Sequence, residues 1–185
     1  MRPVAVQYAS AWTGREAWPT LKSMASRHST NLIAAGAAAP DFRLSSLSGG
    51  EVTLGELTSR GRVVLCFFKI SCPVCQMAAP FLERLHRSGG LAIVGVSQNG
   101  SDATREFNQY YGVTFPVLLD SEDANYPASN SYGIANVPTL FVVEPDGMVS
   151  RVIEGWNKVE MEALGAEAKM TLFQPGDNVP AWKAG

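Results

Sequence analysis

The chain has 185 residues, a formal net charge of −2, 46% hydrophobic residues and 17% charged ones, a balance that suits one packed domain with an extension. No basic patch or stripe marks a nucleic-acid footprint, and no apolar run approaches the roughly 20 residues that span a bilayer. Three cysteines, Cys66, Cys72 and Cys75, are too few for a disulfide scaffold and leave one over from any pair.

Residues 1–37 show no sustained period and read as an N-terminal extension, part helical or mobile. Within it, Asn31–Pro40 (NLIAAGAAAP) follows Lys22 and Arg27 and has the small-residue ending of a signal-peptide cleavage site. Its apolar part is short, rich in alanine and far from Met1. A cytoplasmic protein is therefore the expectation, with export, as to a periplasm, the alternative.

The domain itself is expected over residues 38–172. Phe42 and Leu44, a Ser48-Gly49-Gly50 turn, then Val52 and Leu54 predict an N-terminal β-hairpin. Arg62–Phe68 (RVVLCFF) is almost continuously apolar, as a strand covered on both faces reads. Val74, Met77, Ala78, Phe81, Leu82 and Leu85 recur at helical spacing, and Gly89-Gly90 ends that helix. Leu91–Ser97 predicts a second buried strand. A polar helix follows from Ser101 to about Tyr111 with Gly112 as its stop, then a short strand over Phe115–Asp120. A further helical stretch covers Ala124–Tyr132.

In Val137–Gly155, two strands flank Glu144-Pro145-Asp146-Gly147, which is hairpin-turn chemistry. A last helix runs from Lys158 to about Met170. Residues 173–185, with Pro175, Gly176 and Pro180, read as a C-terminal tail of loop composition. No internal repeat appears. Strands alternating with helices and closing in a hairpin imply an α/β fold, a mixed sheet with helices on both faces.

The chemistry concentrates at Cys72-Pro73-Val74-Cys75, where a buried strand gives way to a helix. Pro73 suits the first helical position, where its missing N–H costs nothing. Cys72 then sits at the helix N-terminus, whose free N–H groups and dipole favour a negative sulfur and so an attacking thiolate. Cys75, one turn later, is placed to displace a mixed disulfide. Cys72 is the expected nucleophile and Cys75 the expected resolving thiol. A structural zinc site would need four ligands, usually from two such pairs. No second pair exists, His86 lies about three turns beyond Cys75, and His28 falls in the extension. No metal is expected, and no cofactor beyond a Cys72–Cys75 disulfide.

These landmarks resemble the redoxins of the thioredoxin-like fold, a group that includes cytochrome-maturation thiol-disulfide oxidoreductases and the AhpC/TSA peroxiredoxins. Ala39–Leu44 (APDFRL) is similar to the family's opening segment, and Val63–Cys75 (VVLCFFKISCPVC) to the strand entering the active site. Pro80 matches a helix-kinking proline. Tyr132–Val149 (YGIANVPTLFVVEPDGMV) is similar to the loop and hairpin that carry the fold's cis-proline. The resemblance covers about residues 38–170. It implies a thioredoxin-like sheet with a redoxin-type insertion and a cis Val137–Pro138 bond. It also implies that Val137, Pro138 and Thr139 form a loop offering backbone hydrogen bonds to an incoming polypeptide.

Departures from the family pattern fall inside the site. Ser71 replaces a common tryptophan, Ala78 a glutamate seen in cytochrome-maturation relatives, and Cys66 a buried acid that assists proton transfer. Cys66 reads as core, a small hydrophobe, with a third redox thiol as the sharper alternative. Lys69 reads as solvated, with stabilisation of the Cys72 thiolate as its alternative role.

The expected function is a thiol-disulfide oxidoreductase working in the reducing direction on a protein or small-molecule disulfide, with an external thiol reductant. A peroxiredoxin-like thiol peroxidase is the first alternative. That family's proline and threonine or serine, seven and three residues before its cysteine, fall at Leu65 and Lys69, and its arginine falls at Pro138. A non-catalytic redoxin binding module, such as a copper carrier, is the other alternative, but no histidine follows His86.

Overall fold

The computed structural model describes residues 32–185; the expected extension therefore lies almost entirely outside the described residues. The described chain begins along a sheet edge. Ile33 N–H donates to Tyr132 O (3.2 Å), Gly36 N–H to Val149 O (2.8 Å) and Ala39 N–H to Gly147 O (2.9 Å). Leu32, Ile33 and Ala39 pack against buried residues, so part of the stretch read as extension is docked on the domain.

Strands β1 (Arg43–Ser46) and β2 (Glu51–Thr53) form the N-terminal hairpin. Leu54, expected in the second strand, instead opens helix α1 (Leu54–Thr58). Thr53 is its N-cap: Glu56 N–H donates to the Thr53 hydroxyl oxygen (3.2 Å), and Thr53 N–H donates to the Glu56 carboxylate (2.8 Å). This reciprocal pair satisfies two free helix-start donors and overrides the strand-like alternation.

Strand β3 (Val63–Phe68) is buried at all six positions. Helix α2 (Pro73–Arg87) follows, then β4 (Ala92–Ser97), α3 (Ser101–Tyr111) and β5 (Val117–Leu119). The helix expected over 124–132 is broken. A 3₁₀ turn (Glu122–Ala124) is separated from α4 (Pro127–Tyr132) by Asn125 and Tyr126, both left-handed. Strands β6 (Thr139–Val143) and β7 (Val149–Glu154) make the predicted hairpin, with a register shift at Val142/Val143.

The seven strands lie in the order β2-β1-β5-β4-β3-β6-β7. β3, β4 and β5 run parallel, and the other pairings are antiparallel. The sheet is mixed, as expected, and its parallel centre is buried on both faces. Alternation along β3 divides the core: Val64, Cys66 and Phe68 face the side covered by α2 and α3, whereas Val63, Leu65 and Phe67 face α1 and α4. Phe67 stacks against Tyr132 (5.0 Å between ring centres) and Phe141 (5.7 Å).

Strand β8 (Trp156–Asn157) leads into α5 (Lys158–Glu167), which ends three residues short of the expected Met170. Lys169, left-handed at φ +56°, turns the chain away. The tail is not all loop. β9 (Trp182–Lys183) pairs antiparallel with β8, Trp156 opposite Lys183 and Asn157 opposite Trp182. Two residues are too few to leave a period in the sequence. No helix among the described residues is long and apolar enough to cross a membrane.

Candidate active site

Three segments converge at the end of β3. The first is the strand-to-helix junction. Cys72 is the N-cap of α2 in extended conformation, Pro73 is the first helical residue, and Cys75 N–H donates to Cys72 Sγ at 3.3 Å. The cap normally supplied by a serine or aspartate oxygen is here a sulfur, so the Cys72 sulfur sits on the free donors of the helix start. Pro73 is exposed; Val74 turns inward and is buried.

The second segment is the loop before β6. The Val137–Pro138 bond is cis, and the Cys72 thiol donates to the Val137 carbonyl at 3.1 Å. Thr139 is buried and spends its hydroxyl on the Asn136 carbonyl (2.8 Å). Among the three loop residues singled out from the sequence, Val137 meets the Cys72 thiol, Pro138 shapes the turn, and the Thr139 side chain closes the loop from within.

The third segment is the loop after β4, which sequence reasoning missed. The Asn99 side-chain oxygen accepts Ile70 N–H at 3.0 Å, and Gln76 Nε2 donates to Ile70 O at 2.9 Å. Together they clamp the turn that delivers Cys72. Asn99 lies 29 residues from Ile70, so no local signal could have revealed it. Gln76, one residue past Cys75 on the predicted helix, could have been flagged as near the site.

The two thiols differ in surroundings. All three cysteines are free; Cys72 is half-buried, Cys75 and Cys66 buried. Burial pushes the Cys75 thiol far above its ordinary value, and the nearby Cys66 and Cys72 sulfurs push the same way, only partly offset by the Lys69 backbone. Burial, with a smaller push from Cys72, raises Cys66 to about 12. Both are protonated at neutral pH. Behind them lies a cavity of about 10 Å³ walled by Cys66, Phe68, Cys75, Phe107, Phe115 and Pro138, among others. That is at or below the room one water needs, and the walls are apolar. Lys69 is exposed just beyond β3.

The helix carrying the thiols is fixed at its far end by a buried carboxylate. Glu83 accepts Thr114 N–H (2.7 Å), the Thr114 hydroxyl and Arg87 Nε (2.7 Å). Burial alone would raise the Glu83 carboxyl, but the bonds from Thr114 and Arg87 outweigh it and hold it below the usual carboxylate range.

Comparison with known proteins bears on family and fold. The chain is 31% identical over 149 residues to the thiol-disulfide oxidoreductase ResA of Bacillus subtilis, covering 78% of this chain and 79% of that one. A thiol:disulfide interchange protein from Bacteroides sp. superposes with a TM-score of 0.63 at 19% identity, over 78% of this chain and 94% of that one; it shows the fold alone. The peroxidoxin BcpB of Mycobacterium tuberculosis superposes with a TM-score of 0.59 at 25% identity, over 75% and 95%. Residues 35–152 match the AhpC/TSA family, and with the thioredoxin-like sheet and the thiol pair beyond the end of its internal strand β3, the chain belongs to that family.

Proposed function

We propose that the protein is a thiol-disulfide oxidoreductase that reduces disulfides, with Cys72 attacking and Cys75 resolving. The Cys72 thiolate bonds to one sulfur of the substrate disulfide and expels the other as a thiolate. Cys75 then loses its proton and attacks Cys72 Sγ, which releases the second substrate thiolate and leaves a Cys72–Cys75 disulfide. Two electrons have passed from the cysteines to the substrate, and an external dithiol restores them.

The observation that carries this reading is the half-buried Cys72 sulfur on the α2 start, 3.3 Å from the Cys75 amide, with the Cys75 thiol buried behind it. The class is that of relatives such as ResA. Support for the reducing direction comes from the dipeptide between the cysteines. A strong oxidant stabilises its reduced form, and Pro73-Val74 supplies no histidine to do so. The Val137–Thr139 loop is read as the binding edge for the substrate.

The test is the Cys72–Cys75 equilibrium in defined thiol buffers, read by alkylation and mass at each cysteine. A potential near about −270 mV supports a reductant suited to a cytosolic pool, whereas about −120 mV indicates an oxidant and an exported setting. If no disulfide forms and Cys72 alkylates no faster than Cys66, the reading fails.

The likeness to a peroxidoxin favours a second reading, peroxide reduction. Against it, the positions where that chemistry needs a proline, a hydroxyl and an arginine hold Leu65, Lys69 and Pro138, and Leu65 is fully buried in the sheet. Oxidation of Cys72 by hydrogen peroxide faster than by a disulfide, at equal concentration, would reverse the order of the two readings.

A further inference from the structure

The site's substrate edge is already occupied by the chain itself. Gly185 lies so close to the Val137 peptide that a Cβ built on it would fall 2.5 Å from Val137 O and 3.1 Å from Val137 N. On the other side, Gly155 (φ +66°) would place a Cβ 2.5 Å from Lys183 O, and Gly155 N–H donates to Pro138 O at 2.7 Å. Residues 183–185 thus run, backbone to backbone, alongside both Gly155 and the loop whose carbonyl touches Cys72. Only glycine permits such approach.

This segment is anchored at its base and loose beyond. At the base, Arg84 pairs with both Asp177 oxygens (2.5 and 3.1 Å) and Trp156 Nε1 donates to Pro180 O (2.7 Å). Val179 packs against the core. Beyond Pro180, all five residues are exposed, Trp182 to 63%. They are held by Lys158 N–H donating to Ala181 O (2.9 Å) and by the two-residue β8–β9 pairing. Lifting Ala181–Gly185 therefore sacrifices backbone hydrogen bonds that water can replace, with little loss of apolar burial. A strand added to an exposed edge is how extended polypeptides are commonly bound; the segment, paired through β9 to β8, brings its last residue against the backbone of that loop.

We propose that Ala181–Gly185 is an internal occupant of the polypeptide-binding edge, hinged at Pro180, and that an extended polypeptide disulfide must displace it to reach Cys72. Small disulfides need only the half-buried sulfur and pass beside it. The segment thereby sets selectivity between two substrate classes. This rests on Cys72 being the attacking thiol.

The test compares the full chain, a chain ending at Pro180 and the full-length Gly185→Val variant, in which a side chain forces the segment off Val137. Asp177 and Pro180 keep their anchors in all three. Two disulfides are supplied, insulin as the polypeptide and hydroxyethyl disulfide as the small molecule. Both variants are expected to raise kcat/KM for insulin about tenfold, the factor by which an edge open about a tenth of the time lowers apparent affinity. Hydroxyethyl disulfide should change less than twofold. Reaction of Cys72 with a polymer-tagged maleimide, relative to iodoacetamide, should rise by a similar factor. An unchanged alkylation ratio, or insulin reduction that stays level or falls, overturns the proposal. If no form turns over either disulfide, the oxidoreductase reading is what has failed, and the alkylation ratio still decides whether the segment covers Cys72.

Discussion

Cys72 and Cys75 stand one helical turn apart, one at the rim of the site and the other on its floor. At the rim, Cys72 is half-buried and its neighbours are backbone groups: the Cys75 N–H on one side and the Val137 carbonyl on the other. The Cys75 amide can donate to the sulfur in either charge state, but the bond to Val137 exists only while the thiol keeps its proton. On the floor, Cys75 faces Cys66 and aromatic walls around a space at the limit of one water. The difference teaches that the two half-reactions have unequal obstacles. On the proposed mechanism, attack by Cys72 is limited by access, and resolution by Cys75 by removing a proton with no carboxylate or imidazole beside it among the described residues.

The comparison breaks most plainly when the rim sulfur is removed. Cys72→Ser should lower disulfide reduction at least about a thousandfold, as loss of a nucleophile commonly does, in a coupled turnover assay. Cys75→Ser should leave attack intact but stop release. One substrate equivalent should remain bonded to Cys72, seen as a mass adduct reversible by dithiothreitol.

A pH series sharpens the contrast. Burial holds Cys75 protonated, so its thiolate fraction, and with it the single-turnover rate of resolution, should climb about tenfold per unit between about pH 7 and 9. A flat profile would mean that another group takes the proton. The smallest effect is expected at Cys66. Cys66→Ala should cost about 1 kcal/mol in urea denaturation and leave turnover within twofold. A tenfold loss of turnover with normal stability would make Cys66 a working third thiol. The same variant should resist alkaline unfolding better. The Cys66 thiol rises from 9.0 to about 12 on folding, so its contribution is intact below about pH 9 and is lost as pH climbs towards 12.

The strand-to-helix junction was legible because each part of it is local: a buried apolar run, then Pro73 at the only helical position that tolerates it freely. The cis Val137–Pro138 bond was legible through family resemblance, since nothing in an isolated Val-Pro-Thr distinguishes it from a strand-start proline. Helix α1 is written in the sequence as Thr53-x-x-Glu56, a capping box that overrides the strand-like alternation of Val52 and Leu54. Asn99 and the β9 segment were beyond reach for a different reason. Their roles come from residues 29 positions apart in one case and from a two-residue pairing in the other, and neither distance nor brevity leaves a periodic trace. Ala78 and Cys66 mark missing proton-handling groups in the sequence, and the apolar floor supplies no replacement among the described residues.

The place of β3 in the sheet has a consequence for how the molecule opens. Its residues register with β4 along one side and with β6 along the other, and all its side chains are buried. Its amide protons should therefore exchange with deuterium only through global unfolding, whereas those of Ala181–Gly185 should exchange through small local openings. Cys72 is thus hung from the strand expected to exchange slowest and bordered by a segment expected to exchange fast. The edge of the groove can open and close many times before the strand that aims Cys72 shifts at all.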